Sequence, residues 1–530
     1  MRGRRFDREA VIVWVSLFAL YLALGYFLQA RLNLFVGDAL ARSYSARSVL
    51  FGHEPKIANI GFIWAPLPTL LQIPLLLFPP FRYRALTAAV VTAGTSAGIA
   101  VLILLFLRRA PLPRPVRWLI VAAYALNPYV LLYSSNGMSE MTLIFFTMLA
   151  LYYYWRWIEE GHWLFLSATG VAAGLAGLSR YDGLFAIATL GLAIAVETLA
   201  QQPDHPLYSE SSLLVYGAPP VYGFSLWILA NWIIEGDPLF FARSETSAAG
   251  RIGGTLLGRE WVVPLKGNLL GTAQATLATS WELFPAFLVV TLALIVLVVI
   301  RRNWHWFGVL LTAWSQILFT AYNVYVGGSN YLLRYFMSAI PMAFIIAAGI
   351  LYLLPRWRTA VALLLVGGFA ASGFATAQAM ARPDQFDGDY RFLTGLQTLK
   401  PYDTVQAEMD LADYIDTRTE GLLLIDPFLG HKIMIFSRNQ ARFVIPADSE
   451  FDSFIRNPYG RVNYVAIPFQ ESSGLIYVDE IARVYPTLYA DGAPWVRLEF
   501  ESGPWRLYRV IGSPTEALRQ NPADQIQPPK

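Results

Sequence analysis

Residues 85–107 read ALTAAVVTAGTSAGIAVLILLFL, and residues 108–117 follow as RRAPLPRPVR. The first run is long and apolar enough to cross a bilayer core, which takes about 20 residues of helix. The second crowds Arg108, Arg109, Arg114 and Arg117 into a tight turn before the next apolar run starts at Trp118. A soluble chain could not bury the first run together with the many others like it. The arginine turn marks the cytoplasmic side, because short cytoplasmic loops collect Lys and Arg.

Working outward, apolar runs predict eleven crossings: 11–29, 85–107, 118–133, 141–157, 163–179, 183–199, 212–233, 284–300, 304–324, 334–354 and 359–377. Charged residues make up 15 % of the chain, against about 25 % in soluble proteins. Under this assignment Arg2, Arg4, Arg5 and Arg8, the Arg301-Arg302 pair, and Arg356 with Arg358 share a side with the first arginine turn. The expected N-terminus is cytoplasmic and the C-terminal part extracytoplasmic. The first apolar run has no small-residue cleavage site and is followed by further spans, so it reads as a membrane helix and not a signal peptide.

One apolar stretch is ambiguous. Residues 62–80, FIWAPLPTLLQIPLLLFPP, hold five prolines, which remove backbone donors and oppose a straight helix. They read as a broken element on the outer side. A twelfth crossing is the alternative, favoured by Arg82 and Arg84.

The expected organisation is an α-helical polytopic membrane domain over 1–381, with outer loops 30–84 and 234–283. An extracytoplasmic α/β domain over 382–512 and a polar, Pro-rich, disordered tail over 513–530 complete it. In the α/β part a helix is predicted at 405–417. Strands are predicted at 421–426, 441–446, 462–468, 495–500 and 505–510, and a second helix at 476–485. Asp426-Pro427 reads as a turn and His431 as a surface residue.

Net charge is +3, which by itself says nothing about nucleic acid, but no basic stripe with interleaved aromatics offers it a surface, and the absence of cysteine excludes disulfides and thiolate metal sites. Arg far outnumbers Lys, which fits a bacterial plasma-membrane protein.

Ionisable residues at span ends are costly and therefore candidates for function. Five lie on the outer side under a topology drawn without them: Asp38, Glu140, Arg180, Asp182 and Arg334. Each also has a structural reading. Asp38 suits a helix N-cap, Glu140 a helix dipole, Arg180 and Asp182 an internal ion pair, and Arg334 interfacial snorkelling beside Tyr331 and Tyr335. Together they suit a lipid phosphate on arginine and a sugar towards the carboxylates. His53-Glu54 lacks a third metal ligand and reads as an exposed loop, and Asp387-x-Asp389 reads as a solvated linker.

The same residues carry a family resemblance. Gly37-Asp38, Ala65-Pro66-Leu67-Pro68, Asn127-Pro128 through Ser139-Glu140, Gly174 through Tyr181, and Arg334-Tyr335 with Pro341 resemble motifs of the GT-C superfamily of polytopic glycosyltransferases over roughly 11–380. The superfamily includes protein O-mannosyltransferases and aminoarabinose transferases. The resemblance implies inverting transfer of a monosaccharide from a polyprenyl-phosphate donor to a glycan, lipid or protein acceptor on the outer face. It implies Asp38 and Glu140 as catalytic residues, Asp38 being the base. It implies Arg180, Asp182, Tyr331 and Arg334 around the donor phosphate. Asp38 is followed by Ala39 and no DxD is present, so the metal-dependent oligosaccharyltransferase pattern is not met; no cofactor is required and divalent-metal dependence stays open. A polyprenyl-lipid transporter would want charges through the bilayer midplane, whereas here they gather outside. A non-catalytic scaffold for envelope assembly is the remaining alternative.

Overall fold

The computed structural model describes residues 7–202, 204–244, 260–329, 331–382, 387–470 and 477–514. The expected disordered tail lies almost wholly outside the described residues, as do Arg2, Arg4 and Arg5. Helices of eight residues or more are numbered in chain order.

All eleven expected segments are helical: α1 (Arg8–Ala30), α3 (Leu86–Leu107), α4 with α5 (Arg114–Ala125, Pro128–Ser135), α6 (Glu140–Glu160), α7 (Trp163–Ser179), α8 (Gly183–Gln201), α9 (Pro206–Glu235), α11 (Pro285–Arg301), α12 with α13 (Trp306–Ala313, Ser315–Val326), α14 (Ala339–Leu353) and α15 (Arg358–Met380). Among the described residues, six helices are long and apolar enough to cross a membrane, or up to nine if each bent pair is one span. The α7 helix has 17 residues, and α6 ends in Tyr152-Tyr153-Tyr154-Trp155-Arg156 and Glu159-Glu160, so neither counts among the six.

Prolines explain two of the bends. Pro128 opens α5 at 67° to α4, and Pro285 opens α11 at 111° to α10 (Leu269–Leu283), since proline cannot continue the preceding helix. The α10 helix falls within 234–283, the stretch expected as a long loop.

The Leu333–Leu353 span is the centre of the bundle, 94 % of its apolar window being buried, and α3 follows at 67 %. The outer faces of α1, α9 and α15 expose Val11, Ile12, Leu214, Leu226, Ile233 and Leu364. Helices apolar inside and out are what a lipid solvent demands. Small residues let α7 approach α9: a Cβ on Gly170 would fall 2.1 Å from the Tyr216 carbonyl oxygen, and one on Gly174 3.0 Å from Pro220 Cα.

Residues 62–80 form no continuous helix. They break into turns at Leu67–Leu70, Ile73–Leu77 and Pro79–Arg82, each far too short to cross. Gln72 is buried at their centre, donating to Pro68 O at 3.0 Å and accepting from Ser43 (3.0 Å) and Thr87 (2.9 Å). Irregular backbone of this kind is held inside protein rather than offered to lipid.

After α15 come α16 (Asp387–Thr398), α17 (Gln406–Arg418) and α18 (Pro427–Phe436), with a five-stranded sheet. Its strands are β1 (Leu423–Leu424), β2 (Phe443–Val444), β3 (Tyr464–Pro468), β4 (Val496–Ser502) and β5 (Trp505–Val510), in the order β2-β1-β3-β5-β4. The first three are parallel to one another, and β5 runs antiparallel to β3 and β4.

This sheet's core is shared with the segment between α1 and α3. Leu40 and Tyr44 of α2 (Gly37–Phe51) belong to the same buried cluster as Leu411, Ile415, Ile425 and Ile433. Arg47 donates to the carbonyls of Ile435 (3.0 Å), Ser437 (2.9 Å) and Arg438 (3.2 Å). His53 and Glu54, read as an exposed loop, instead clasp this part: His53 Nδ1 donates to Ala441 O at 3.0 Å, and Glu54 accepts from Ser449 N–H at 3.0 Å. Hydrogen bonds from Lys56 and Ser449 pull the Glu54 carboxyl down to about 2.

Candidate functional site

The Asp38 carboxylate lies in the first turn of α2. Arg334 lies on a 3-10 turn, Leu333–Phe336, that leads into α14. Glu140 opens α6, and Arg180 with Asp182 occupies the turn between α7 and α8. These elements come from four separate stretches of sequence, and the fold joins their side chains into one chain of ion pairs. Asp38 Oδ2 is 3.1 Å from Arg334 Nη2, and Arg334 Nε is 3.8 Å from Glu140 Oε1. That same Glu140 oxygen is 2.9 Å from Arg180 Nη1, and Arg180 Nη2 is 3.2 Å from Asp182 Oδ2. Both guanidinium groups also lie near the Tyr335 ring, 6.0 Å away for Arg180 and 5.5 Å for Arg334.

Exposure along the chain is uneven. The side chains of Glu140 and Arg334 are 5 % and 10 % exposed, whereas Asp38 is 39 % exposed. The middle of the chain is anchored by burial, and its Asp38 end can meet a ligand. Keeping charges this deep costs desolvation that pairing only partly offsets.

Of the six residues singled out from the sequence, Tyr331 alone stands apart from this chain. It adopts φ +55°, and its hydroxyl accepts from Thr279 on α10 at 3.1 Å.

Sequence reading missed Arg42. It lies one helical turn after Asp38 on α2, is 5 % exposed, and donates to Ala65 O at 3.1 Å. Its guanidinium stacks 5.0 Å from the centre of the Trp64 ring and shares the electrostatic field of Asp38, Arg180 and Glu140. The i, i+4 spacing of Asp38 and Arg42 was the available signal. Three arginines thus face three carboxylates.

A second correction concerns Asp389, which is buried and not part of a solvated linker. It accepts from Tyr129 OH at 3.0 Å and Tyr133 OH at 3.2 Å. Burial pushes its carboxyl up to about 7, although both tyrosines pull the other way.

A cavity of about 400 Å³ reaches Gly37, the residue before Asp38. Val36 and Gly37 form one wall, and Gly388, Arg391, Tyr402 and Lys432 line the other. Lys432 is paired with Glu408 at 3.1 Å. His431 beside it is packed rather than open on the surface. Its Nδ1 donates to Phe428 O at 3.1 Å, and burial and Lys432 pull its pKa down to about 4. Asp426 forms the N-cap of α18, accepting from Phe428 N–H at 2.8 Å, as expected for a turn. Among the described residues no three His, Asp or Glu side chains gather as a metal-binding group.

The architecture can be compared with solved structures. ArnT from Cupriavidus metallidurans bound to undecaprenyl phosphate superposes with a TM-score of 0.55 at 14 % identity, covering 95 % of this chain and 98 % of that one. The chain has the GT-C fold. ArnT from the same organism in the apo state gives a TM-score of 0.52 at 15 % identity, covering 94 % and 98 %. Residues 79–230, from just before α3 to near the end of α9, match the family model of dolichyl-phosphate-mannose-protein mannosyltransferases. A comparison with curated proteins returned no match. The GT-C fold accounts for the many apolar helices and the small C-terminal sheet of a multi-pass membrane protein.

Proposed function

We propose that this protein is a glycosyltransferase that moves a monosaccharide from a polyprenyl-phosphate donor to an envelope acceptor on the outer face of the plasma membrane, with inversion. The observation that carries this reading is the ion-pair chain, which puts a half-open carboxylate, Asp38, at the end of an arginine-rich rim. The matched family model is described by a dolichyl-phosphate sugar, and a structure of the same fold was solved with undecaprenyl phosphate. Both support a lipid phosphate at this rim.

In this mechanism Asp38 removes the proton of the acceptor's nucleophilic hydroxyl as its oxygen attacks the anomeric carbon. The new glycosidic C–O bond forms while the bond from that carbon to the phosphate oxygen breaks. The electron pair stays on the oxygen, so polyprenyl phosphate leaves as a phosphomonoester. Arg180 and Arg334 stabilise the charge that grows there, as fixed charges do in a water-poor site. Glu140 orients both arginines. A donor phosphate that draws Arg334 towards itself also loosens the Asp38 ion pair, which makes Asp38 a stronger base. The cavity beside Gly37 takes the acceptor.

The test is sugar transfer by purified protein from a polyprenyl-phosphate monosaccharide. Asp38→Asn is expected to lower kcat by about 10²- to 10⁴-fold, the usual contribution of a positioned base. A wild-type rate in that variant removes the proposed base and the mechanism with it.

A further inference from the structure

The carboxyl of Asp389 lies just past the last membrane helix and has no solvent exposure. Its two oxygens are divided between two hydroxyls: Tyr129 donates to Oδ2 and Tyr133 to Oδ1. The tyrosines are four residues apart on α5, so they stand one above the other on a single helical face and one carboxyl reaches both. Both rings are buried.

The α5 helix ends at Ser135, and Glu140 follows after four residues. That connection has little slack. Asn136 Oδ1 accepts from Met138 N–H at 3.0 Å. Gly137 holds φ +84°, with room for no Cβ, since one would fall 2.6 Å from that of Ala88. The position of α5 is therefore passed on to the start of α6. Arg334 and Glu140 also lie in the electrostatic field of the Asp389 carboxyl.

We propose that Asp389 is a positioning residue that sets Glu140, and through it Arg334, by way of Tyr129 and Tyr133. Charged, its carboxyl accepts both hydroxyls. Protonated, one of its oxygens becomes a donor, so one tyrosine hydroxyl must rotate its hydrogen away and accept, and both bonds lose their charge assistance. Burial places this change near neutral pH. The groups that face it are Tyr129 and Tyr133 from α5, Arg334 from the turn before α14, and Glu140 from α6. The hold is full above neutrality and weaker below it. Gly388 and Arg391, on either side of Asp389, line the cavity, so the same carboxyl also seats one cavity wall.

The kinetic part rests on the glycosyltransferase reading; the positioning part stands on geometry. The experiment compares wild type with Asp389→Asn in detergent, reading hydrogen exchange of the 136–139 amides and transfer kinetics from pH 5 to 9. In the variant those amides exchange about tenfold faster, as expected for a loosened local segment. Its kcat falls about tenfold at pH 8 with donor KM nearly unchanged, the pattern of a lost geometric constraint, and the acid limb near pH 7 disappears. Unchanged exchange overturns the positioning of Glu140, whatever the kinetics. A wild-type kcat with the acid limb intact overturns its part in catalysis. Should wild type transfer no sugar from any polyprenyl-phosphate donor, the glycosyltransferase reading fails, and the exchange result still decides the positioning. If Asp389→Asn does not fold, Tyr129→Phe and Tyr133→Phe, each deleting one hydroxyl, are read in the same way.

Discussion

Arg334 Nη2 lies 3.1 Å from Asp38 Oδ2, across 296 residues of sequence. The same guanidinium reaches towards Glu140 with its Nε, so one side chain spans the open and the anchored carboxylates. Only a planar fork can address two acids in this way.

Arg334→Lys keeps the charge and loses the fork. The expected result is a fall in kcat/KM of about 10²-fold, or about 2.7 kcal/mol, with the protein still folded. Arg334→Ala leaves Glu140 short of a cation in a buried setting and should cost about 3–5 kcal/mol of stability. Transfer kinetics and thermal unfolding in detergent separate the two effects.

Arg42 is expected to help hold the donor. Arg42→Gln should raise donor KM about tenfold, or about 1.4 kcal/mol, because a neutral amide pairs poorly with phosphate. A donor titration at fixed acceptor concentration is the check, and an unchanged KM would confine Arg42 to its bond with Ala65.

Arg47 holds three carbonyls of the C-terminal part. Arg47→Ala strands these buried acceptors at a cost of about 3 kcal/mol. The melting temperature should fall, and proteolysis should begin earlier around 435–438.

Asp389 makes stability depend on pH in a stated direction. Its folded pKa, about 7, is above the unfolded value of about 3.9, so the folded state binds the proton more tightly. Stability from this group is fully present below about pH 4, is lost as pH rises towards 7, and is level above that. The change is about 4 kcal/mol by linkage, and Asp389→Asn should abolish this slope. Chemical unfolding of both proteins at pH 4 and pH 8 measures it.

The chain contains no cysteine, so single introduced thiols report topology without background. Ser453→Cys should react with an impermeant maleimide in intact cells, and Arg301→Cys only after permeabilisation. The reverse pattern would put the proposed rim on the cytoplasmic face.

Much of the architecture was legible because it is written in local pattern. Apolar runs located the eleven helical segments, and the prolines of 62–80 foretold its broken turns. Strand positions in the C-terminal part followed from short apolar runs between turn residues. The grouping of Asp38, Glu140, Arg180, Asp182 and Arg334 followed from the expected topology, which put these span-end charges at one interface. What escaped was set by packing between distant elements. Asp389 sits in a Gly- and Asp-rich stretch that looks like a linker, and only the placement of α16 against α5 buries it. Arg42 was hidden in a short polar helix whose burial its local pattern does not show. The α10 helix was lost because its three threonines and one serine masked an element that turns sharply into α11.

The helix that bears Asp38 is walled in by Leu411, Ile415 and Ile433 as much as by the membrane bundle. For protein engineering this means the C-terminal module has no clean cut at residue 382. A chimaera that exchanges only the C-terminal segment would leave Leu40, Tyr44 and Arg47 facing a mismatched surface and tilt the proposed base. A working graft has to carry residues 37–51 along with the C-terminal module, as one discontinuous unit.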